Sequence, residues 1–267
     1  MAALRERLDV ALVRRGLAET RERAQSLILS GAVSVDGMAA TRPAQSVISD
    51  SDIQVKDAGP EYVSRGALKL VRALDLWHID PNGKIALDVG ASTGGFTDLL
   101  LRRGAKRVYA VDVGYGQLHY RLRNDPRVIS MERTNVRYLA DLAEAPDLAV
   151  VDVSFISLKL ALPPVFNRVK DEIIALIKPQ FEAGRQQVRK GGVVRDPAVH
   201  RQVLLDIVEW SRTQTWQISA LTPSPIRGPA GNLEVLSLWR RGVEPPSLDR
   251  IRQVVGEAAI LSSEPAC

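Results

Sequence analysis

A chain of 267 residues, 45% hydrophobic and 25% charged, can bury one full core and a smaller one, and is too apolar to stay disordered. The formal net charge of +5 favours an anionic partner, while a single cysteine, Cys267, excludes an internal disulfide framework. Three scattered histidines (His78, His119, His200) leave no metal site to expect, and no apolar run reaches the roughly 18 residues of a membrane span. The arginine-rich start has no signal-peptide core, so a soluble, cytoplasmic protein with no membrane partner is expected.

From the N-terminus, Leu4 to Arg15 reads as a helix with Leu8, Leu12 and Val13 on one face, ended by Gly16. Thr20 is placed to cap a second helix, in which Ala24, Leu27 and Ile28 recur at helical spacing, and Gly31 closes it. Val33 and Val35 alternate with Ser34 ahead of an Asp36-Gly37 turn, and Ile53 to Val55 forms a last short strand. The order L-D-x-x-L, R-x-x-A-x-x-L-I, G-x-V-x-V-D-G resembles the S4-type RNA-binding domain, over about Leu8 to Lys56. That resemblance implies phosphate contacts from Arg5, Arg7, Arg14, Arg15, Arg21 and Arg23, which this reading places on the two helices. Residues 1–58 hold eight Lys and Arg against eight Asp and Glu, so any basic surface there is a local patch.

Asp57-Ala58-Gly59-Pro60 breaks the pattern, and residues 59–63 are expected to link a domain at 1–58 to a second at 64–267. Ser64 can cap a helix running through Ala67, Leu70 and Leu74 to about Trp77, with Lys69 on it. Lys84 to Gly95 then reads KIALDVGASTGG: a buried strand, Ile85 to Val89, a glycine loop, and a helix from Phe96. The loop is neither G-x-G-x-x-G nor G-x-x-x-x-G-K-[ST], which excludes a P-loop and suits a cofactor without a pyrophosphate, such as S-adenosylmethionine (SAM). Gly90, Ala91, Ser92, Thr93, Gly94 and Gly95 would line its site. Glycines of this kind also serve to pack a helix onto a sheet. Asp112 ends the next strand, 22 residues after Gly90, about where a carboxylate meets an adenosine ribose. A helix opening at Gly114-Tyr115-Gly116 and ending near Arg123 is expected next, then extended Val128 to Met131. DLAVVD (147–152) and Ile173 to Ile177 are buried strands, the second leading to Lys178. Val199 to Arg212 is an amphipathic helix, Trp216 to Leu221 and Leu233 to Trp239 are late strands, and Leu248 to Leu261 is a final helix. The alternation predicts an α/β fold, a mostly parallel sheet with helices on both faces and a ligand site at the strands' carboxyl ends. Asp88, Asp112, Asp152 and Lys178 all stand there, where an unused charge is costly. Trp77, Trp210, Trp216 and Trp239 sit in periodic apolar segments and read as core.

DVGASTGGFTDLLLRRGA, VYAVDVGYGQLHYRLRNDPRV, ERTNVR, VVDVSFISL, LIKPQFEAGR, KGGVVRDP and GPAGNLEVL follow one another as in the TlyA (hemolysin A-like) family, which this chain resembles over nearly its whole length. The family joins an S4 domain to an FtsJ-like methyltransferase domain. It implies a Rossmann-like SAM-dependent methyltransferase fold with a mostly parallel seven-stranded sheet, behind a small α+β S4 domain. It also implies methyl transfer from SAM to a cytidine ribose 2′-OH in ribosomal RNA, 23S and in some members also 16S. The family's Lys-Asp-Lys-Glu set falls on Lys69, Asp152, Lys178 and Glu234. On this reading Lys178 receives the hydroxyl proton or holds the oxyanion, Lys69 tunes Lys178, and the two acids orient the amines. The family places adenine contacts at Asn135, which could equally be a turn cap. Arg185, Arg189, Lys190 and Arg195 flank Gly191-Gly192 in a basic loop that reads as a substrate-RNA contact and lid or, equally simply, as a solvated loop. The expected partners are ribosomal RNA or ribosomal subunits, bound by a monomer without a metal.

Three other functions compete with this one. A SAM-binding assembly factor without turnover would have no need of the intact set of four. A membrane-lytic hemolysin lacks any spanning segment in this sequence, and an S4-bearing pseudouridine synthase would have no place for the SAM-type loop.

Overall fold

The computed structural model describes the chain except residues 1–4, 19, 30, 56–61, 185–186, 189–190, 229 and 262–267, and the side chains of 22, 26, 29 and 259–261. It divides into two compact units, Met1–Glu61 and Tyr62–Cys267. Residues 62 and 63, expected in a linker, belong to the second unit for a physical reason. Val63 N donates to Asp98 Oδ2 (3.0 Å), and the Arg102 guanidinium lies over the Tyr62 ring.

In the first unit, strand β1 (Arg5–Arg7) precedes helices α1 (Leu8–Arg14) and α2 (Arg21–Leu29). Strands β2 (Val33–Val35), β3 (Met38–Ala39), β4 (Ser46–Ile48) and β5 (Ile53–Val55) follow. Asp36 and Gly37 both take positive φ, which turns β2 tightly into β3, and β5 pairs on the other side of β2. Thr20 Oγ1 accepts from Arg23 N (3.2 Å), the expected cap of α2. Leu8, Leu12, Ala24, Ile28 and Val33 form the core of this unit. One expectation fails here: residues 5–7 are not helical but pair antiparallel with β4. Alternation of side chains in Arg-Glu-Arg suits a strand edge, and the helical apolar spacing begins only at Leu8.

The second unit is built on seven strands in the order β11-β12-β10-β9-β6-β7-β8. They are β6 (Ile85–Val89), β7 (Arg107–Val111), β8 (Val128–Met131), β9 (Leu148–Val151), β10 (Glu172–Ile177), β11 (Gln217–Pro223) and β12 (Val235–Arg240). All neighbours from β10 to β8 pair in parallel, and β12 is antiparallel to both β10 and β11. Helices α3 (Ala67–Leu76), α4 (Gly95–Arg102) and the short α5 (Tyr120–Arg123) cover one face, against Ala86, Val108, Val150 and Leu176. Helices α6 (Leu158–Phe166), α8 (Pro197–Arg212) and α9 (Leu248–Leu261) cover the other, against Leu87, Val151, Ile173 and Trp239. A four-residue α7 (Pro179–Glu182) follows β10. Phe166 stacks with Trp216 and Trp210 and tilts against Trp239; Trp216 and Trp239 are fully buried, while Trp210 and Trp77 are half-buried against the two cores.

Two further local expectations need correction, and one helix goes beyond them. Ser64 does not cap α3 through its side chain; its carbonyl accepts from Ala67 N instead (3.2 Å), and the helix starts after Gly66. Residues 114–119 are irregular and only Tyr120–Arg123 is helical, because the Asp112 carboxylate and the Thr93 carbonyl take the N–H groups of Gly114 and His119. Helix α6 was not anticipated, since Pro163 and Pro164 lie inside it. Each removes one backbone bond of the helix, a cost offset by packing of Leu158, Ala161, Leu162 and Val165 into the core.

Asp9 anchors the first unit's polar side. Its side chain is buried and accepts from Arg7 (2.8 and 2.9 Å), Arg21 (3.0 Å) and Gln25 (3.0 Å). The Arg7 hydrogen bond, ahead of opposing burial and with help from Gln25 and Arg21, holds its carboxyl well below the usual range. Its stabilisation is therefore present above the ordinary carboxylate pKa and fades as pH falls below it. Asp9→Ala is expected to lower the stability of this unit by roughly 2 kcal/mol at neutral pH, read from its denaturant midpoint. An unchanged midpoint would show that the cluster adds nothing.

Candidate active site

Strands β6, β7, β9 and β10 end side by side, and Gly90, Asp112 and Asp152, just beyond β6, β7 and β9, line a cavity of about 830 Å³; Lys178, beyond β10, is not part of its wall. Its wall runs from Gly90, Ser92, Asp112, Val113 and Asn135 at one end to Ser154, Phe155, Leu160, Gln180 and Phe181 at the other, with Asp152 included. A parallel sheet sets this position, since every loop that leaves the carboxyl edge opens on the same side.

The loop glycines divide into two kinds. Gly90 has φ +86°, and a Cβ there would lie 2.5 Å from the Asp152 carbonyl oxygen. Only glycine lets the β6 loop pass so close to the end of β9. Gly94 and Gly95 do not face the cavity. Added Cβ atoms there would strike Leu122 and Leu118 from α5 and its approach, or Ser64 ahead of α3, so these two pack helices together. Thr93 is also off the cavity wall, and Ala91 lines only a small adjoining pocket that shares Ser92 and Asp112. Of the six loop residues expected to hold a cofactor, the structure therefore brings Gly90, Ser92 and, at the margin, Ala91 to the site.

Asp112 is fixed by its own loop: Oδ2 accepts from Ser92 N (2.8 Å) and Oδ1 from Gly114 N (2.7 Å). Each oxygen keeps acceptor capacity for a hydroxyl. Asn135 lines the cavity and is also a cap, its Oδ1 accepting from Arg137 N (3.0 Å). Arg133, with φ +54°, lays its guanidinium over the exposed Tyr115 ring near this end. Phe155 is 92% exposed at φ +63°, a costly backbone for an aromatic residue, and its ring meets Phe181 at 5.1 Å.

Lys69, Asp152, Lys178 and Glu234 come together from α3, β9, β10 and the approach to β12. Lys69 Nζ lies 2.7 Å from Glu234 Oε2 and 3.5 Å from Asp152 Oδ2; Lys178 Nζ lies 2.6 Å from Asp152 Oδ1 and 3.0 Å from Ser154 Oγ. The result is a row, Glu234–Lys69–Asp152–Lys178, of alternating sign. Lys69, Lys178 and Glu234 are 6%, 8% and 2% exposed, so each charge depends on its neighbour. Asp152 stands between the two amines and gives one oxygen to each. Gly228 makes room for the last member, as a Cβ there would lie 2.5 Å from Glu234 Oε1. Ser154 was not anticipated in this group. Its place two residues after Asp152 in a loop carries no periodic signal.

The arginines of the first unit are more neutralised than their clustering suggests. Arg7 and Arg21 sit on Asp9, Arg14 pairs with Glu6 (2.5 Å), and Arg15 donates to the carbonyls of Ser51 and Ser49. Arg5 is exposed on β1, beside Arg7 rather than on a helix, and Arg23 is half-buried on α2. Arg185, Arg189 and Lys190 lie outside the described residues.

These features define an α/β methyltransferase fold preceded by an RNA-binding-type module. The FtsJ-like methyltransferase family matches residues 62–241, and the S4 domain family matches residues 6–49. The chain belongs to the FtsJ-like methyltransferases, in the TlyA group that carries an S4 domain. It is 46% identical, over 90% of its length and 91% of the relative's, to the 16S/23S rRNA (cytidine-2′-O)-methyltransferase TlyA of Mycobacterium tuberculosis. Hemolysin A of Brachyspira hyodysenteriae is 42% identical over 86% of this chain and 98% of its own. A solved structure from Streptococcus thermophilus, also described under the hemolysin name, superposes with a TM-score of 0.74 at 39% identity, covering 97% of this chain and 98% of the other. Among the described residues, no helix is long and apolar enough to cross a membrane.

Asp88, beneath the loop at the end of β6, is fully buried and accepts from Thr97 Oγ1 at 2.6 Å. Burial, above all, pushes its carboxyl up to about 7, against the Thr97 bond, with the Asp152 charge adding to the rise. Between 3.8 and about 7 the folded chain thus keeps a proton that the unfolded chain has released. Stability from this group is full at the acid end and lost as pH rises through that window. A plot of Tm against pH should fall across it in the wild type and less steeply in Asp88→Asn; parallel curves would mean that Asp88 titrates like an exposed carboxylate.

Proposed function

We propose that this chain transfers a methyl group from SAM to the ribose 2′-OH of a cytidine in ribosomal RNA, 23S alone or 23S together with 16S, with the S4 unit gripping the RNA. The observation that carries this reading is the Glu234–Lys69–Asp152–Lys178 row beside a large cavity at the carboxyl edge of the sheet. The name of the M. tuberculosis relative supports the substrate, and its match runs through both units.

The residues present fit the cofactor. Asp112, held from behind by two loop N–H groups, offers both carboxylate oxygens to a ribose diol, and Gly90 and Ser92 line the cavity beside it. Asn135, with Oδ1 turned to its own cap, has amide donors left for an adenine edge. When bound, SAM supplies an electrophilic methyl group. The protein's task is to present a hydroxyl to it and manage one proton.

Lys178 is ion-paired with Asp152 and donates one N–H to Ser154 Oγ, which leaves donor capacity for the ribose oxygen. That donor holds the oxygen in place and stabilises the negative charge that grows on it as it attacks. With a carboxylate already against Lys178, holding the oxyanion suits this amine better than acting alone as a neutral base. The departing proton is taken up by the Lys178–Asp152 pair as a unit. Lys69, braced by Glu234, keeps Asp152 turned toward Lys178. Arg5, Arg7, Arg14, Arg15, Arg21, Arg23, Arg185, Arg189 and Lys190 contact phosphates. The protein works in the cytoplasm as a monomer.

The test is methyl transfer from labelled SAM to separated 30S and 50S subunits from cells lacking this protein. Label is expected on a cytidine 2′-O position. Lys178→Ala should lower the rate by about 10²–10⁴-fold while leaving SAM affinity nearly intact. No label on either subunit or on naked rRNA would defeat the reading, and loss of SAM affinity along with rate would defeat the role given to Lys178.

A further inference from the structure

Asn232 is 2% exposed and lies two residues ahead of Glu234, in the segment leading into β12. Its side chain uses both ends of its amide. Oδ1 accepts from Val194 N at 2.9 Å, and Nδ2 donates to Gly192 O at 2.8 Å. Its backbone carbonyl accepts from Gly228 N at 3.0 Å, and Gly228 is the residue whose missing side chain makes room for Glu234 Oε1. On the far side, His200 of α8, also buried, bonds through Nε2 to Val194 O at 3.1 Å. The segment 192–194 is therefore stitched from two sides, and one of the stitches is continuous with the residue that braces Lys69. Arg195, next in the chain, is exposed.

We propose that Asn232 is a positioning residue that couples the loop after β10 to the Glu234–Lys69 pair, so that RNA engaging this loop also sets Lys69 in place. This rests on the transferase reading above. The amide is suited to the task because the loop presents one donor and one acceptor, and only a group with one of each satisfies both when buried. A shift of 192–194 moves Asn232, and through two residues of backbone it moves the carboxylate on which Lys69 depends. Misplacement of about 1 Å at such a group can cost on the order of a hundredfold in rate.

The experiment uses the full chain with two substitutions. Asn232→Ala removes both bonds; Asn232→Asp keeps the shape and the acceptor but leaves Gly192 O without a donor. In both, single-turnover transfer at saturating rRNA should slow by on the order of tenfold to a hundredfold. SAM affinity should stay close to wild type, and Tm should fall only by the few degrees that the lost bonds account for. Rates matching wild type would overturn the proposal, and so would a parallel fall of rate, SAM affinity and Tm, which marks a merely structural residue. Hydrogen exchange reads the coupling without any turnover. Amides at 192–196 and around Lys69 at the start of α3 should both exchange faster in Asn232→Ala, and loosening of the loop alone would refute the link. If wild-type protein labels no rRNA while both regions respond, the proposed function fails and the coupling stands.

Discussion

Two lysines and two carboxylates share the interior of the second unit, and none of them can be there without the others. An uncompensated buried charge costs several kcal/mol, whereas an alternating row satisfies each member in turn. That requirement decides more than the site. It fixes where α3 must cross the sheet, where β9 and β10 must stop, and how closely the β6 loop must pass Asp152. Gly90 and Gly228 are glycines because carboxylate-bearing residues occupy the space a side chain would need, Asp152 with its backbone and Glu234 with its Oε1.

The long periodic segments were readable from the residues alone. Leu148–Val151 and residues 173–177 are uninterrupted apolar runs, and Ile85–Val89 is broken only by Asp88; runs of this kind mean strands buried on both faces. What escaped was set by partners rather than by pattern. Arg5–Arg7 is a strand only because Ser46–Ile48 lies alongside it, and Leu158–Phe166 is a helix despite two prolines because its apolar face packs into the core. Both outcomes are tertiary, and local propensity does not contain them.

The site was legible to a similar degree. Strand-end carboxylates Asp88, Asp112 and Asp152 announce themselves by following apolar runs. Lys69 does not: a lysine near the apolar side of a helix looks like one whose stem is buried and whose amine reaches water. Its place came from a resemblance, and the contact with Glu234 supplies the physical reason. Asn232 gave no signal, since its two bonds reach residues some forty positions away. The glycine loop was half legible: its outline was clear, but whether each glycine faces a ligand or a neighbouring helix depends on α3 and α5.

Strand β12 is the one strand in its sheet that runs against its neighbours. In a wholly parallel sheet the carboxyl edge is built only from strand endings; reversing one strand brings a beginning to that edge, which is how Glu234 arrives there. It is also the last strand made, and it inserts between β10 and β11 rather than adding at the rim. As the chain leaves the ribosome, everything up to residue 233 contains two of the row's cations and only one of its anions. The charge balance of the row therefore waits for the strand that Glu234 introduces.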